Sequence, residues 1–92
     1  MSEQDKDQDT LLEFPCDFPI KAMGETSDDF DQLVVEILRR HVDDIAEGAI
    51  SQRQSSGGKF TSITVTIRAT SKAQLDAIYQ DLSSHHRIKF AL

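Results

Sequence analysis

The chain has 92 residues and a formal net charge of −6, from 10 basic and 16 acidic side chains. A chain of this length buries about 60 % of its unfolded surface, which predicts one domain without a deep substrate cavity. The acidic balance argues against nucleic acid held by phosphate attraction, and no apolar run is long enough to span a membrane.

The first ten residues, MSEQDKDQDT, carry four acids against one lysine and no apolar side chain after Met1. Such a composition cannot drive burial, so residues 1–10 are predicted to be a disordered acidic tail and residues 11–92 the single domain. No signal peptide is recognised, and the single cysteine, Cys16, allows neither an internal disulfide nor a zinc site of several thiolates. A cytoplasmic protein is expected.

The stretch LLEFPCDFPIKAMGE contains the first predicted strand, residues 18–23, because apolar and other side chains alternate there. Pro19 lacks an N–H for a ladder hydrogen bond and is expected at the start of the strand, with Gly24 at its end. Before the strand, Leu11, Leu12 and Phe14 are predicted to pack on the edge of the sheet or on its open face.

The next segment, TSDDFDQLVVEILRRH, predicts an amphipathic helix. Its apolar residues repeat with helical spacing at Phe30, Leu33, Val34, Ile37 and Leu38. Ser27 is predicted to be the N-cap, with Asp28 and Asp29 in the first turn, where the helix dipole favours negative charge. Residues 39–41 are basic and are expected at the other end.

A hairpin is predicted next, from a polar strand at residues 49–54, the turn SSGG and the strand KFTSITVTIRA. The second helix begins at the Ser71 cap, with Gln74 completing a capping box, and its apolar stripe is Leu75, Ile78, Tyr79 and Leu82. The closing segment RIKFAL alternates again and predicts a last strand.

The resulting order, βαββαβ, is that of the ferredoxin-like α/β plait: a four-stranded antiparallel sheet with two helices on one face. The first and third strands are then central. The side predicted to face the helices comprises Phe18, Ile20, Ile63, Val65, Ile67, Ile88 and Phe90. The open side comprises Lys21, Met23, Phe60, Ser62, Thr64, Thr66, Arg68 and Lys89.

Activities that this fold can host were compared with the residues present. RNA-binding domains of this topology stack bases on aromatic residues of the central strands, where this chain has Ser62, Thr64 and Thr66. Metal chaperones need paired cysteines, and the three histidines show no ligand spacing. Acylphosphatase-type hydrolysis needs an arginine after the first strand, where Glu25 stands. No enzyme, metal or cofactor is therefore expected.

An ACT-like small-molecule sensor, acting as a dimer, remains the alternative. Gly24, Glu25 and Thr26 would bind an amino acid at the start of the first helix. Negative charge already present at Asp28 and Asp29 competes with a ligand carboxylate, and the Arg-Pro-Gly pattern of ACT domains is missing.

The opening stretch and two later motifs carry a resemblance. Leu-x-Glu-Phe-Pro, Lys-x-x-Gly and Ser-x-Gly-x-Lys together resemble the YbeD-like family of small bacterial proteins over residues 11–92. The resemblance implies a ferredoxin-like fold similar to ACT regulatory domains and a standalone protein suspected to be regulatory, and it supplies no catalytic residues. Phe60 stands where the family often has Tyr, and the acidic tail looks like an addition.

The leading hypothesis is a non-enzymatic regulatory or protein-interaction module with an unidentified protein partner. Its predicted surface is the open sheet face and the adjoining turn, with partner-binding residues Lys21, Lys59, Ser62, Thr64, Thr66, Arg68 and Lys89. The alternative is that neither feature has a binding role, so that the open face is only a solvated sheet face and the turn only connects the two strands of the hairpin.

Overall fold

A computed structural model describes residues 13–92, apart from the side chain of Glu47. The predicted acidic tail and the residues Leu11 and Leu12 lie outside the described residues. The strands are β1 (Cys16–Glu25), β2 (Ile50–Gln54), β3 (Phe60–Ala69) and β4 (Phe90–Ala91). The helices are α1 (Phe30–Arg39), α2 (Lys72–Ser84) and a short 3-10 helix at Glu47–Ala49.

The four strands form one antiparallel sheet in the order β2-β3-β1-β4. This order confirms the predicted ferredoxin-like plait, with β1 and β3 at the centre. These two strands pair along their whole length, from Cys16 opposite Ala69 to Glu25 opposite Phe60. A full ten-residue ladder sets the register, and therefore the face on which each side chain of the central strands lies.

One face of the sheet packs on the helices and holds the core. Strands β1 and β3 contribute Ile20, Ala22, Ile63, Val65, Ile67 and Ala69, all buried. Helix α1 contributes Phe30, Val34, Ile37 and Leu38, and α2 contributes Leu75, Ile78 and Leu82. Complete burial of such side chains stabilises the fold by about 1.5–3 kcal/mol each, so the hydrophobic driving force is concentrated here.

The two helices are also joined at their polar ends. His41, just after α1, places Nε2 2.9 Å from a carboxylate oxygen of Asp81 on α2, and Arg40 Nη1 lies 3.2 Å from the other. Hydrogen bonds from His41 and Arg40 hold the pKa of Asp81 below its usual value despite an opposing contribution from burial. The amide of Gln74 donates to the backbone oxygen of His41 at 2.9 Å.

The N-terminal cap of α2 agrees with the prediction in part, and the cap of α1 does not. Ser71 does cap α2, since its hydroxyl accepts from the backbone N–H of Gln74 at 3.0 Å. The side-chain oxygen of Gln74 reaches one residue further than expected and accepts from the N–H of Thr70 at 2.7 Å. In contrast, α1 begins at Phe30 with Asp29 as N-cap, so the prediction of Ser27 as N-cap is wrong.

Pro19 lies four residues into β1 rather than at its start. Lys21 exchanges backbone hydrogen bonds of 2.9 and 2.8 Å with Leu92, so its backbone groups face the β4 side. Two residues earlier, the nitrogen of Pro19 faces the same side. The register of β4 reaches only Ala22 and Met23, so the missing N–H of Pro19 interrupts no ladder there.

The last strand differs most from the predicted pattern. Met23 has Phe90 as its register partner, yet the N–H of Lys89 also donates to the Met23 oxygen at 2.7 Å. Two residues opposite one is the arrangement of a β-bulge, and it shifts the alternation after the buried Ile88. Phe90 is consequently 64 % exposed and lies on the open face, so its predicted position against the helices is wrong.

The segment before β1 joins the covered side of the sheet. Phe14 and Cys16 are both partly buried and pack against the core cluster. Phe14 therefore does not lie on the open face, which was one of the two predicted positions. Cys16 packs as a small apolar side chain. Among residues 13–92, no helix is long and apolar enough to cross a membrane.

Candidate functional site: the open sheet face

The face of the sheet opposite the helices is called the open face here. Directly paired residues of antiparallel strands lie on the same face, so the register arranges their side chains in rows. One row crosses all four strands and contains Phe90, Met23, Ser62 and Arg53. The next row contains Leu92, Lys21, Thr64 and Ser51.

The two rows divide the open face into an apolar and a cationic part. Phe90 and Leu92 are 64 % and 71 % exposed, and both stand beside β1 on the β4 side. Met23 is half-buried and lies next to Phe90. On the other side, Arg53 extends from the exposed strand β2. Lys21 lies between these parts, so a partner can contact apolar surface and positive charge within the same two rows.

A hollow of about 230 Å³ lies at the hairpin end of this arrangement, where Lys21, Met23 and Arg53 line it together with Gln54 and Ser55. Ser62, which is 8 % exposed, occupies the position between Met23 and Arg53 and lines the hollow with its short side chain. Phe60 also lines it. The Ser62 hydroxyl lies 3.4 Å from the backbone oxygen of Arg53, to which it donates.

Charges on the open face are only partly neutralised. Arg68 pairs with Asp17, its register partner, at 3.4 Å, and both side chains are well exposed. Within residues 13–92, Lys21 and Arg53 form no ion pair. Exposed ion pairs contribute little to stability, so the fold loses little when Lys21 and Arg53 remain unpaired. On the edge strand β2, a charged side chain such as Arg53 also discourages pairing with another chain.

The predicted site residues occupy different environments. Lys21, Ser62, Thr64, Thr66 and Arg68 all lie on the open face, as the alternation predicted. Thr66 and Arg68 are exposed, while Thr64 is half-buried.

Lys59 and Lys89 lie at the margin of this surface. The ammonium group of Lys59 stands 5.6 Å from the centroid of the Phe60 ring, at the end of the hairpin turn. Lys89 precedes β4 and lines a second hollow together with Glu25 and Arg87. Gly57 and Gly58 form the turn with φ of 86° and 74°, which favours glycine at both positions.

Arg53, Phe90 and Leu92 were absent from the predicted open face, for different reasons. Arg53 could have been placed by extending the alternation of β3 across the hairpin to its partner Ser62. Phe90 and Leu92 could not, because the bulge at Lys89 moves them from the expected face and no local sequence signal marks it.

In the alternative ligand site, Gly24 and Thr26 make internal contacts, whereas Glu25 is exposed. A Cβ at Gly24 would overlap the backbone oxygen of Arg87 and the ring of Phe30, so the glycine is needed for close packing. The Thr26 hydroxyl lies 2.7 Å from that of Thr61, and its N–H donates to the Lys59 oxygen at 2.9 Å. The N–H and the hydroxyl of Thr26 are therefore both engaged within the fold.

The start of α1 already holds a carboxylate. Arg87 donates to both oxygens of Asp29, at 2.9 and 3.2 Å, and also to the hydroxyl of Ser27. Hydrogen bonds from Arg87 and Ser27 lower the pKa of Asp29 to about 2. The same pair raises the pKa of Arg87. The adjoining hollow measures about 210 Å³ and is lined by Glu25, Thr26, Ser27 and Arg87.

The described part of the chain offers little to a metal ion. Within residues 13–92, no group of three or more His, Cys, Asp and Glu side chains is placed to hold a metal ion. His85 and His86 stack on each other at 4.9 Å, and Nδ1 of His85 accepts from the N–H of Arg87.

The chain is similar to known bacterial proteins over most of its length. Residues 9–92 match the family described as "Protein of unknown function (DUF493)". A UPF0250 protein of Chromobacterium violaceum is 49 % identical over 89 % of this chain and 92 % of its own length. A UPF0250 protein of Janthinobacterium sp. (strain Marseille) is 47 % identical over the full length of both chains. Neither relative bears the name of an enzyme.

A solved structure supports the fold independently. The solution structure of protein HP0495 from H. pylori matches with a TM-score of 0.66 and 18 % identity, over 88 % of this chain and 85 % of that one. At this identity the likeness concerns the fold alone. The family match and the full-length relatives confirm the resemblance to YbeD-like proteins seen in the sequence. The chain belongs to the DUF493 family of small bacterial proteins, together with the UPF0250 proteins.

Proposed function

We propose that this protein is a cytoplasmic, non-enzymatic interaction module with a regulatory role, and that its open face is the surface that docks a partner protein. The observation that carries the proposal is the row Phe90, Met23, Ser62 and Arg53 with Lys21 beside it. This row and Lys21 together combine exposed apolar side chains with cations that form no ion pair with a described residue.

The energetics of the two faces support this choice. The core lies on the covered face, so truncation of Phe90 or Leu92 removes little burial from the fold. An exposed apolar group next to unpaired charge is a usual composition for a protein-binding patch, in which a few apolar anchors dominate and charges steer association. The predicted residues Ser62, Thr64 and Thr66 provide small hydroxyl side chains between them, which let a partner approach the sheet closely.

The proposal can be tested by comparing what three purified forms capture from an extract of the native bacterium. The first is the wild type, the second Lys21→Glu with Arg53→Glu, and the third Arg39→Glu with Lys72→Glu. The last two carry the same charge change, but Arg39 and Lys72 lie on the helices, away from the open face. Quantitative mass spectrometry should find proteins retained by the wild type and the helix variant and lost from the open-face variant.

Identical capture by all three forms would contradict the proposed surface. Circular dichroism and thermal melting of each variant separate loss of binding from loss of structure. The substituted side chains on the sheet are exposed, so both variants are expected to fold as the wild type does.

The ACT-like sensor has weaker support as an alternative. Its residues Gly24 and Thr26 are engaged in packing and hydrogen bonds, and the anion position at the start of α1 is taken by Asp29. A thermal-shift screen of the twenty amino acids tests it directly, because a ligand that binds the folded state raises the melting temperature by mass action. We expect no such rise.

A further inference from the structure

The hollow above Ser62 has the composition of a carboxylate site. Lys21 and Arg53 line it on either side of Ser62 and extend from strands that are two spacings, about 10 Å, apart. Neither cation pairs with a described carboxylate, and the short side chain of Ser62 leaves room between them. A carboxylate entering here would meet two long donors able to bend toward it.

The hollow has apolar neighbours on two sides, Phe60 at the hairpin end and Met23 on β1. Met23 stands between Ser62 and Phe90, so the row passes from cation to hydroxyl to apolar surface in successive strands. A partner side chain next to a bound carboxylate would therefore lie against Met23 and Phe90. The order of cationic, hydroxyl and apolar side chains across the strands therefore predicts how a bound segment is oriented as well as which residues it contains.

Resting on the proposed function, we infer that the open face binds an acidic segment of a partner protein. A Glu or Asp carboxylate of that segment lies in the hollow between Lys21 and Arg53, and a neighbouring apolar side chain covers Met23 and Phe90. The charges decide between this partner and a second copy of the chain. Two open faces brought together would bring the rows of Lys21 and Arg53 against the same cations, while Asp17 of that face already pairs with Arg68 and Glu25 lies at its margin, opposite Phe60.

Single-stranded RNA fits the surface less well. The positive charge is local, and the whole chain carries −6, which repels a phosphate backbone at long range. Of the two aromatic rings that residues 13–92 place on this face, Phe60 has the Lys59 ammonium 5.6 Å from its centroid, which leaves Phe90 as a single stacking plane between the non-aromatic Met23 and Leu92. Aliphatic and thioether surface is suited to protein side chains.

The inference is tested by placing a photo-crosslinking amino acid, benzoylphenylalanine, at Phe90 in the full chain, in living cells of the native bacterium. The control places it at Tyr79, a half-buried residue of α2 on the helix side. Sequencing the cross-linked peptides by mass spectrometry reports the chemistry of whatever covers each position. From position 90 we expect adducts to a segment of another protein rich in Asp and Glu, and from position 79 no such adducts.

The second arm repeats the cross-linking with Lys21→Gln and Arg53→Gln, which remove both cations without adding charge. The yield of the acidic adduct should fall by about tenfold, because the carboxylate loses both of its partners. An unchanged yield would overturn the carboxylate site.

The outcomes also separate this inference from the proposed function. Adducts only to basic or uncharged segments of another protein overturn the inference and leave the interaction surface standing. Adducts only to a second copy of this chain likewise overturn it. Adducts only to RNA, or none from position 90 while the protein is folded and expressed, overturn both.

Discussion

The two faces of the sheet are built by the same strands and differ in nearly every physical property. In β3, Ile63 is fully buried under the helices, whereas Thr66, three residues further along the strand, is exposed on the open face. The covered face has apolar side chains with complete burial. The open face has hydroxyls, cations and two exposed apolar residues near the C-terminal strand. Stability therefore depends on one face, which leaves the composition of the other free to serve binding.

The largest expected effect comes from breaking the covered face. Ile63→Ala should lower the free energy of unfolding by about 2–5 kcal/mol, since it removes buried methyl groups and leaves a cavity against the helices. Thr66→Val is the matched control on the same strand. It preserves strand propensity on the open face and should change stability by less than about 0.5 kcal/mol. Chemical denaturation of both variants measures the difference, and equal losses would contradict the assignment of faces.

A smaller loss is expected where the sheet meets the start of α1. Gly24→Ala adds a Cβ that overlaps the Arg87 backbone oxygen and the Phe30 ring, so unfolding should require about 1–3 kcal/mol less. Gly48→Ala is the control, because a Cβ there meets nothing within 4 Å. If denaturation shows that the two variants lose equal stability, the close packing at Gly24 is not what the structure indicates.

The ion pair beside Gly24 predicts a pH dependence. Asp29 has a pKa of about 2 in the folded protein against an ordinary value of 3.8. A depressed folded pKa stabilises the fold above the unfolded pKa, and that contribution is lost as pH falls from about 4 to about 2. At pH 6, Asp29→Asn should lower the melting temperature, because it removes the charge that pairs with Arg87. The decrease should be smaller than that of Gly24→Ala, because Asp29 is exposed.

The Asp29→Asn variant also shows the sign of this pH dependence. The gap in melting temperature between the wild type and Asp29→Asn should narrow as the pH is lowered from 5 to 2. Other carboxylates, including Asp81, titrate equally in both proteins and cancel in the difference. Melting curves at several pH values in constant salt measure it, and a gap that stays constant would show that the pair with Arg87 contributes nothing in solution.

The smallest effect on stability is expected on the open face itself. Phe90→Ser removes a ring that is 64 % exposed, so the free energy of unfolding should change by less than about 0.5 kcal/mol. The Phe90→Ser variant should nevertheless capture clearly less partner protein than the wild type. This result would show that Phe90 serves binding and contributes little to folding. A loss of stability as large as that of Gly24→Ala would place Phe90 in the core and contradict the bulge.

Much of the fold was predictable because its signals are local. The period of two in KFTSITVTIRA and the helical spacing of Phe30, Val34 and Ile37 each depend on a single element. The Ser71 cap is equally local, since donor and acceptor are three residues apart. Ser27 was misassigned because its hydroxyl interacts with Asp29 and Arg87, and Arg87 lies 60 residues away.

By itself, the sequence determined the order of elements, the two faces of the central strands and the absence of familiar catalytic motifs from the expected loops. It placed Lys21, Ser62, Thr64, Thr66 and Arg68 on one surface, because side-chain alternation is a property of the strand alone.

Only the tertiary structure decided what lies beside them. A bulge at Lys89 brings Phe90 next to Met23, and contacts with Arg87 engage the start of α1. These are pairings between distant segments, and their register depends on the packing of the whole sheet.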